Sequence, residues 1–173
     1  MLDVSVSYNR YKFLGHEFLT WMWFFIENQG EQLGVIDQEL QSLEVGNRIV
    51  LENKKNTSET ITIKGDDAGL EEGILALRKG AVVVEMNLAF QANDLNWTFS
   101  IKGESMSIGN LKVPETGPIE TKDDIEGIIL EKTYLFEKAL MIVDNLFKHF
   151  IHLRVSNAWN DDIIPGLRRW VYS

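Results

Sequence analysis

A run of bulky apolar side chains near the N-terminus constrains the fold of this chain more than any other feature. Residues 13–28 read FLGHEFLTWMWFFIEN, and apolar residues recur in this run at the spacing of one helix face. The residues of that face are Leu14, Phe18, Trp21 or Met22, and Phe25. With Trp23 and Phe24 added, the predicted helix is apolar almost all round, so it must be covered on more than one side, by the domain or by a partner. The candidate residues for that contact are Phe18, Trp21, Trp23 and Phe25.

The composition predicts one globular domain that folds by packing alone. The chain has 173 residues, 45% of them apolar, and its nine Phe, five Trp and four Tyr supply large core side chains. It has no cysteine, which excludes disulfides, thiolate metal sites and cysteine nucleophiles. The first residues lack the pattern of a signal peptide, and the most apolar run, Phe18 to Ile26, is too short to cross a bilayer. We therefore expect a cytoplasmic protein without a membrane partner.

Alternating apolar residues in the middle of the chain predict an antiparallel sheet. One predicted strand has Val82, Val84, Met86, Leu88 and Phe90 on one face, and Val83, Glu85, Asn87 and Gln91 on the other. Strands at 97–101 and 106–113 follow after short links, so the three should form a meander. Upstream, 49–51 and 60–63 are β-rich, and the polar residues 52–59 between them predict a hairpin loop. The remaining strand candidates are 1–12 and 35–43, the second of which also fits an irregular segment.

Capping residues predict two further helices. Asp66 can cap a short amphipathic helix, and Gly80 lies where its C-cap would be. Thr121 and Asp124 resemble a capping box at the start of a much longer helix. Its apolar stripe is Ile125, Ile128, Leu135, Ala139, Ile142, Leu146, Phe150 and Leu153. At about 30 residues, or about 45 Å, this helix is longer than one small sheet can cover, so part of it is expected to serve an oligomer interface.

Together these patterns predict a single α+β domain over residues 1–173, with 114–120 as the candidate internal break. A mostly antiparallel sheet should pack against the aromatic N-terminal helix and the long C-terminal helix. Pro165 separates a short final segment that ends with Leu167 to Tyr172.

The sequence contains no recognisable catalytic motif. His149 and His152 are three residues apart on one helix face, but no third ligand stands at metal-site spacing, so two surface histidines are the simpler interpretation. The segment 52–54, Glu-Asn-Lys, with Asp37 upstream, resembles the Glu-x-Lys pattern of metal-dependent nucleases, and a solvated hairpin tip is the simpler interpretation. We therefore predict no catalytic residue, no metal and no cofactor, and favour a protein that is not an enzyme.

The charge distribution disfavours general binding of polyanions but leaves one basic region. Seventeen basic residues stand against 26 acidic ones, a formal net charge of −9. Positive charge outweighs negative charge near the C-terminus, where Trp159, Trp170 and Tyr172 are interleaved. The candidate DNA-contact residues there are Lys148, His152, Arg154, Arg168 and Arg169. Phosphate contact with base stacking is one hypothesis, and the favourable position of basic residues at a helix C-terminus is the other.

The aromatic helix also carries a family resemblance. Residues 13–23, FLGHEFLTWMW, resemble F-L-G-x-E-F-L-T-W-L-W, a signature of RdgC-like recombination-associated proteins, and only Met22 departs among the fixed positions. The run 147–159, around Leu153-Arg154-Val155-Ser156, is similar as well. The resemblance implies a cytoplasmic, nucleoid-associated protein that binds duplex DNA with little sequence preference. Well-known members form ring-shaped dimers, restrain strand exchange by the recombinase and need no nucleotide or metal, and the family is also labelled exonuclease.

Three functional hypotheses follow. The first is a non-catalytic, RdgC-like protein that binds duplex DNA and modulates recombination, with contacts predicted from local charge alone. The second is a protein–protein interaction or oligomerisation module that binds no nucleic acid, which fits the acidic charge and the excess of apolar helix. The third is a metal-dependent nuclease. In the first two, the chain is expected to be a homo-oligomer.

Overall fold

A computed structural model describes residues 13–53 and 59–173 of the chain. The described helices are α1 (Phe13–Asn28), α2 (Leu33–Ile36), α3 (Asp67–Arg78), α4 (Lys122–Arg154) and α5 (Ile164–Tyr172), with a 3-10 turn at Gly30–Gln32 and a π-helical turn at Trp159–Ile163. The described strands are β1 (Leu40–Asn53), β2 (Glu59–Ile63), β3 (Ala81–Ala92), β4 (Leu95–Lys102) and β5 (Ser107–Lys112). The predicted α+β class is confirmed, whereas the strand predicted at 1–12 lies outside the described residues.

The five strands form one antiparallel sheet in the order β2-β1-β3-β4-β5. The pairing of Asn53 with Glu59 confirms the hairpin between β1 and β2, and β3, β4 and β5 form the predicted meander. Residues 35–43 were predicted as a strand or an irregular segment, and both occur: α2 ends at Ile36, residues 37–39 are irregular, and β1 begins at Leu40. The connections within the pairs β1–β2, β3–β4 and β4–β5 are short, whereas β2 and α3 lie between the paired strands β1 and β3 in the chain.

A bulge in β3 overturns one predicted detail of the sheet. Val50 pairs with Glu85 and Leu51 pairs with Val83, so Val84 is an extra residue in β3. An extra residue shifts the alternation by one, so Val83 and Met86 both face the core and are fully buried. The prediction that Val82 and Val84 share a face with Met86 is therefore wrong, and both side chains are only half-buried.

Helix α1 lies at the centre of the molecule. The side chains of Phe18, Trp21, Trp23 and Phe25 are all fully buried. Backbone contacts backbone at one end of α1, because a Cβ added to Gly15 would lie 1.7 Å from the carbonyl oxygen of Gly103, just after β4. The prediction that this helix is covered on more than one side is confirmed, and its own domain supplies the cover.

The predicted caps are present on α3 and α4. The Asp66 carboxylate accepts from the backbone N–H of Gly69 at 2.9 Å, and Gly80 follows α3 with a φ of 91°, which favours glycine. The Asp124 carboxylate accepts from the backbone N–H of Thr121 at 2.7 Å and from its hydroxyl at 3.0 Å. None of the helices in the described parts of the chain has the length and apolar character needed to span a membrane.

Candidate functional site

The predicted basic residues on α4 are partly neutralised by carboxylates. Lys148 Nζ lies 2.6 Å from Asp144 Oδ2 in an ion pair between two exposed side chains. Arg154 Nε donates to Glu17 Oε2 at 2.8 Å, and its guanidinium lies 5.3 Å from the ring centre of Trp159. His152 is exposed on the same helix. Arg154 therefore fastens the end of α4 to α1, a structural role that accounts for its position.

Arg168 and Arg169 lie on α5 and differ from these residues. Both side chains are exposed, and neither makes a hydrogen bond or ion pair within residues 13–53 and 59–173. The neighbouring Trp170 anchors α5, because its ring centre lies 5.2 Å from that of Trp23 and 5.7 Å from that of Phe24. Two exposed cations thus lie next to the half-buried tryptophan that anchors α5 to α1.

Helix α1 separates the two basic groups. Trp21 contacts Phe150 of α4 at 5.7 Å between ring centres, whereas Trp23 contacts Trp170 of α5. Residues two apart on a helix point in nearly opposite directions, so α4 and α5 cover nearly opposite sides of α1. The five predicted DNA-contact residues therefore belong to two groups rather than to one continuous helical surface.

The two histidines of α4 do not resemble a metal site. The His149 ring packs against Trp21 at 5.8 Å and Phe25 at 6.1 Å between ring centres. Burial, and then the charge of His152, lower the pKa of His149 below its usual value, which favours the neutral ring. No group of three His, Cys, Asp or Glu side chains suited to a metal occurs among the described residues.

The residues of the nuclease hypothesis are far apart. Asp37 precedes β1 and binds Lys138, whereas Glu52 is the penultimate residue of that strand. An extended strand of this length separates them by roughly 40 Å. The two carboxylates therefore cannot hold the same metal ion, and Lys54 lies outside the described residues.

The sheet face opposite α1 carries polar side chains that form hydrogen bonds with one another. Asn87 Nδ2 donates to Asn47 Oδ1 at 2.7 Å, and Asn110 Nδ2 lies 3.4 Å from the hydroxyl of Ser100. These contacts account for the polar side chains that line the shallow groove on this face. Nothing in the groove requires a ligand to satisfy it.

The most unusual surface of the molecule is on the first half of α4. From Lys122 to Tyr134 no side chain is buried, so about 20 Å of helix extends beyond the core. Large apolar residues of α4 are nevertheless between 42% and 65% exposed: Ile125, Ile129, Leu130, Tyr134, Phe136, Leu140 and Met141. Soluble monomers seldom expose contiguous apolar side chains on this scale without a function.

Four of these residues form one stripe, which we call the α4 stripe. It consists of Ile125, Ile129, Phe136 and Leu140, which lie within an arc of about 60° at 100° per residue. The core-facing residues Leu135, Ala139, Ile142 and Leu146 lie about 100° further round the helix. The apolar stripe that the sequence predicted for this helix counted Ile125 with the core-facing residues, but Ile125 is 42% exposed and belongs to the α4 stripe. The four-residue spacing of Ile125 and Ile129 was the available signal for a second face.

A buried lysine marks the point where α4 leaves the core. Lys138 is only 4% exposed, and its Nζ lies 3.1 Å from Asp37 Oδ1 and 2.5 Å from Glu39 Oε2. Burial lowers the pKa of Lys138, but hydrogen bonds to Glu39 and Asp37 outweigh it and raise the pKa overall. The hydrogen bond from Lys138 also lowers the pKa of Glu39. This cluster clamps α4 to the residues before β1, so the stripe is presented from a rigid base.

No protein-family model matches this chain, and no curated protein matches it either.

Proposed function

We propose that this protein is a non-catalytic interaction module that binds another polypeptide through the α4 stripe. The observation that carries the proposal is the exposure of four aligned apolar residues on a helix that is clamped at Lys138 and unsupported before Leu135. Burying such side chains is worth about 1.5–3 kcal/mol each when complete, which is a large gain for an unpartnered surface. A helix face with regularly spaced anchors is a common means of protein recognition.

Two physical features favour a protein partner over a polyanion. The formal net charge of −9 repels polyanions on average, whereas it does not oppose apolar contact. The first half of α4 also lacks tertiary packing, and isolated helices of about 12–15 residues are only marginally stable in water. Docking against a partner would supply the packing that this segment lacks within its own domain.

A site-specific photo-crosslink tests the proposal. We expect a p-benzoyl-phenylalanine placed at Phe136 to form an adduct with a polypeptide in the cells that produce the protein, because Phe136 lies in the stripe. The matched control is the same group at Leu75, an exposed apolar residue of α3 that lies outside α4. Equal yields at the two positions, or no polypeptide adduct at Phe136, would contradict a docking role for the stripe.

A second candidate function is contact with duplex DNA through α5, in the manner that the RdgC-like resemblance implies. The observation that favours it is the pair Arg168 and Arg169, which are exposed and free of carboxylate partners within the described residues. Neutralising phosphates with such side chains makes binding fall steeply with salt. A recombination-modulating, nucleoid-associated role would follow from this contact.

A mobility shift at increasing salt tests the DNA candidate. Binding should weaken as salt rises and should be lost in the double variant Arg168→Glu/Arg169→Glu. The control is Lys64→Glu/Lys102→Glu, which changes the net charge by the same amount at exposed positions outside α4 and α5. Equal loss in both double variants would indicate a general charge effect, and the absence of a shift at low salt would remove this candidate.

A further inference from the structure

We propose that the partner of the α4 stripe is a second copy of this chain, bound as an antiparallel pair of α4 helices around a two-fold axis at the peptide between Lys132 and Thr133. The inference rests on the proposed function, since it names the occupant of the same surface. We call Lys122–Tyr134 the projecting half of α4 and Leu135–Arg154 its core-packed half. Antiparallel pairing would place the projecting half of each α4 along the first part of the core-packed half of the other. Each domain would thereby lend support to the helix segment that the other leaves bare.

The spacing of the stripe is the first argument. Its four members are separated by four, seven and four residues, an order that reads the same in both directions along the helix. A two-fold interface requires such self-complementarity, because each residue must meet its symmetric counterpart. The axis between Lys132 and Thr133 places Ile125 against Leu140 and Ile129 against Phe136, so both copies contribute all four residues.

Charge placement is the second argument. In this register Lys122 of one copy lies within one residue of the level of Asp144 of the other, on the same flank of the stripe. Asp144 would then be shared between that Lys122 and Lys148 of its own copy. Same-flank residues meet across an antiparallel helix pair, so two opposite-charge pairs form, one at each end. A parallel pair would instead bring the acidic first turns of the two helices together, with Asp123 and Asp124 of each copy side by side.

The available space is the third argument. As far as Ile142, the core of each domain packs on a side of α4 that is about 100° from the stripe. Val143 lies in line with the stripe and is buried, so the free part of the stripe ends at Leu140. Phe136 and Leu140 are 43% and 53% exposed although they lie in the core-packed half of the helix. The two domains would lie at opposite ends of the helix pair. One helix pair makes a small interface, below about 1,200 Å² in total, so the dimer should be reversible.

Three residues in this register oppose the pairing. Glu126 and Glu137 of opposite copies lie on one flank within two residues of the same level, and Lys132 provides a diagnostic. Lys132 lies on the other flank beside the axis, so two ammonium groups approach each other. Replacing this residue with leucine removes the repulsion and adds apolar contact, so Lys132→Leu should tighten the dimer by about tenfold or more. An interface with a different protein would not bring two Lys132 side chains together, so Lys132→Leu would relieve no such repulsion there.

Disulfide trapping tests the register directly, because the chain contains no cysteine. Thr133→Cys places a thiol beside the axis, where helices about 8–10 Å apart bring facing Cα atoms within reach of a disulfide. Under mild oxidation we expect a covalent dimer from Thr133→Cys and none from Glu131→Cys, whose exposed side chain lies on the opposite side of α4. Equal crosslinking of the two variants, or none from Thr133→Cys, would overturn the register.

Sedimentation of the full chain completes the test. The unaltered chain should show a concentration-dependent dimer, Ile129→Asp should be monomeric, and the matched change Leu130→Asp on another side of the helix should leave the dimer intact. Lys122→Asp should weaken the dimer, and adding Asp144→Lys should restore it.

A folded, monomeric unaltered chain would overturn self-association. If the Phe136 photo-crosslink then joins a different polypeptide, the interaction module stands without the dimer; if it joins none, both proposals fail.

Discussion

Helix α4 changes character at Leu135. From Lys122 to Tyr134 no side chain is buried, whereas Leu135, Ala139, Ile142, Leu146 and Phe150 are at most 3% exposed. Both halves carry apolar residues at helical spacing, although these are 5 of 13 residues in the first half and 12 of 20 in the second. In the folded chain they also differ in whether α1 and α2 reach the helix. The comparison teaches that an apolar helix face identifies a contact surface but not the molecule that covers it.

Two phenylalanines on α4 give the largest expected difference between the halves. Phe150 is fully buried among Phe18, Trp21 and Trp159, whereas Phe136 is 43% exposed. Phe150→Ala should lower the free energy of unfolding by about 3–5 kcal/mol, because it leaves a cavity. Phe136→Ala should change it by less than about 0.5 kcal/mol. Denaturant unfolding at a concentration where the chain is monomeric measures both, and similar values would contradict the division of α4.

The clamp at Lys138 should give the next largest effect. Lys138→Ala leaves the carboxylates of Asp37 and Glu39 without their cation and should cost about 1–3 kcal/mol of unfolding free energy. The exposed Lys132 on the projecting half is the control, and Lys132→Ala should be nearly neutral.

The clamp also predicts a pH dependence. The pKa of Glu39 is lowered in the folded state, so its contribution is present above the usual carboxyl pKa of 4.5 and is lost as the pH falls below it. Lys138→Ala should weaken this loss between about pH 3 and 5, measured by thermal unfolding across that range. An unchanged pH profile would show that Lys138 does not hold Glu39 in solution.

His149 should produce a smaller effect in the core-packed half of α4. Burial and the charge of His152 lower its pKa in the folded state, so the unfolded chain takes up a proton more readily. Stability should therefore fall as the pH drops below about 6.5, the usual histidine value. NMR titration should give a pKa for His149 below the usual value of about 6.5, and His152→Gln should raise it. A pKa for His149 at or above the usual value would contradict its burial against Trp21.

The capping box of the projecting half should give the smallest global effect. Asp124→Ala removes the acceptor for the Thr121 backbone and hydroxyl groups, a loss that costs about 1 kcal/mol in a packed helix. Because residues 122–134 are not packed, the loss should appear as faster amide exchange in that segment alone. Hydrogen exchange measures this, and a matched loss of protection around Phe150 would show that the halves unfold together.

Local patterns in the sequence predicted most secondary structure. The caps at Asp66 and Thr121, the hairpin before Ile63 and the β3–β5 meander depend on contacts between residues close in sequence, and each is present. The bulge at Val84 was not predictable in this way. It results from the register that β3 adopts against β1, a partner more than thirty residues away.

The candidate sites were less predictable than the fold. Local charge selected Arg154 and Lys148 equally with Arg168 and Arg169, but only the fold brings Glu17 to Arg154. The aromatic run at 13–23 could equally have marked a partner surface, but Phe18, Trp21 and Trp23 are fully buried between α4 and α5 and belong to the core. A charge count along the chain contains no information about which carboxylate is near in space.

The amino-acid sequence by itself determined that α4 would be long, capped at Thr121 and apolar along its length, because caps and periodicity act within a few residues. Only the tertiary structure decided that α1, α2 and Trp97 of β4 contact α4 from Leu135 onward and leave the α4 stripe exposed. The reason is that burial depends on distant segments meeting in space, and the 16-residue α1 and the 4-residue α2 are too short to cover a 33-residue helix from end to end.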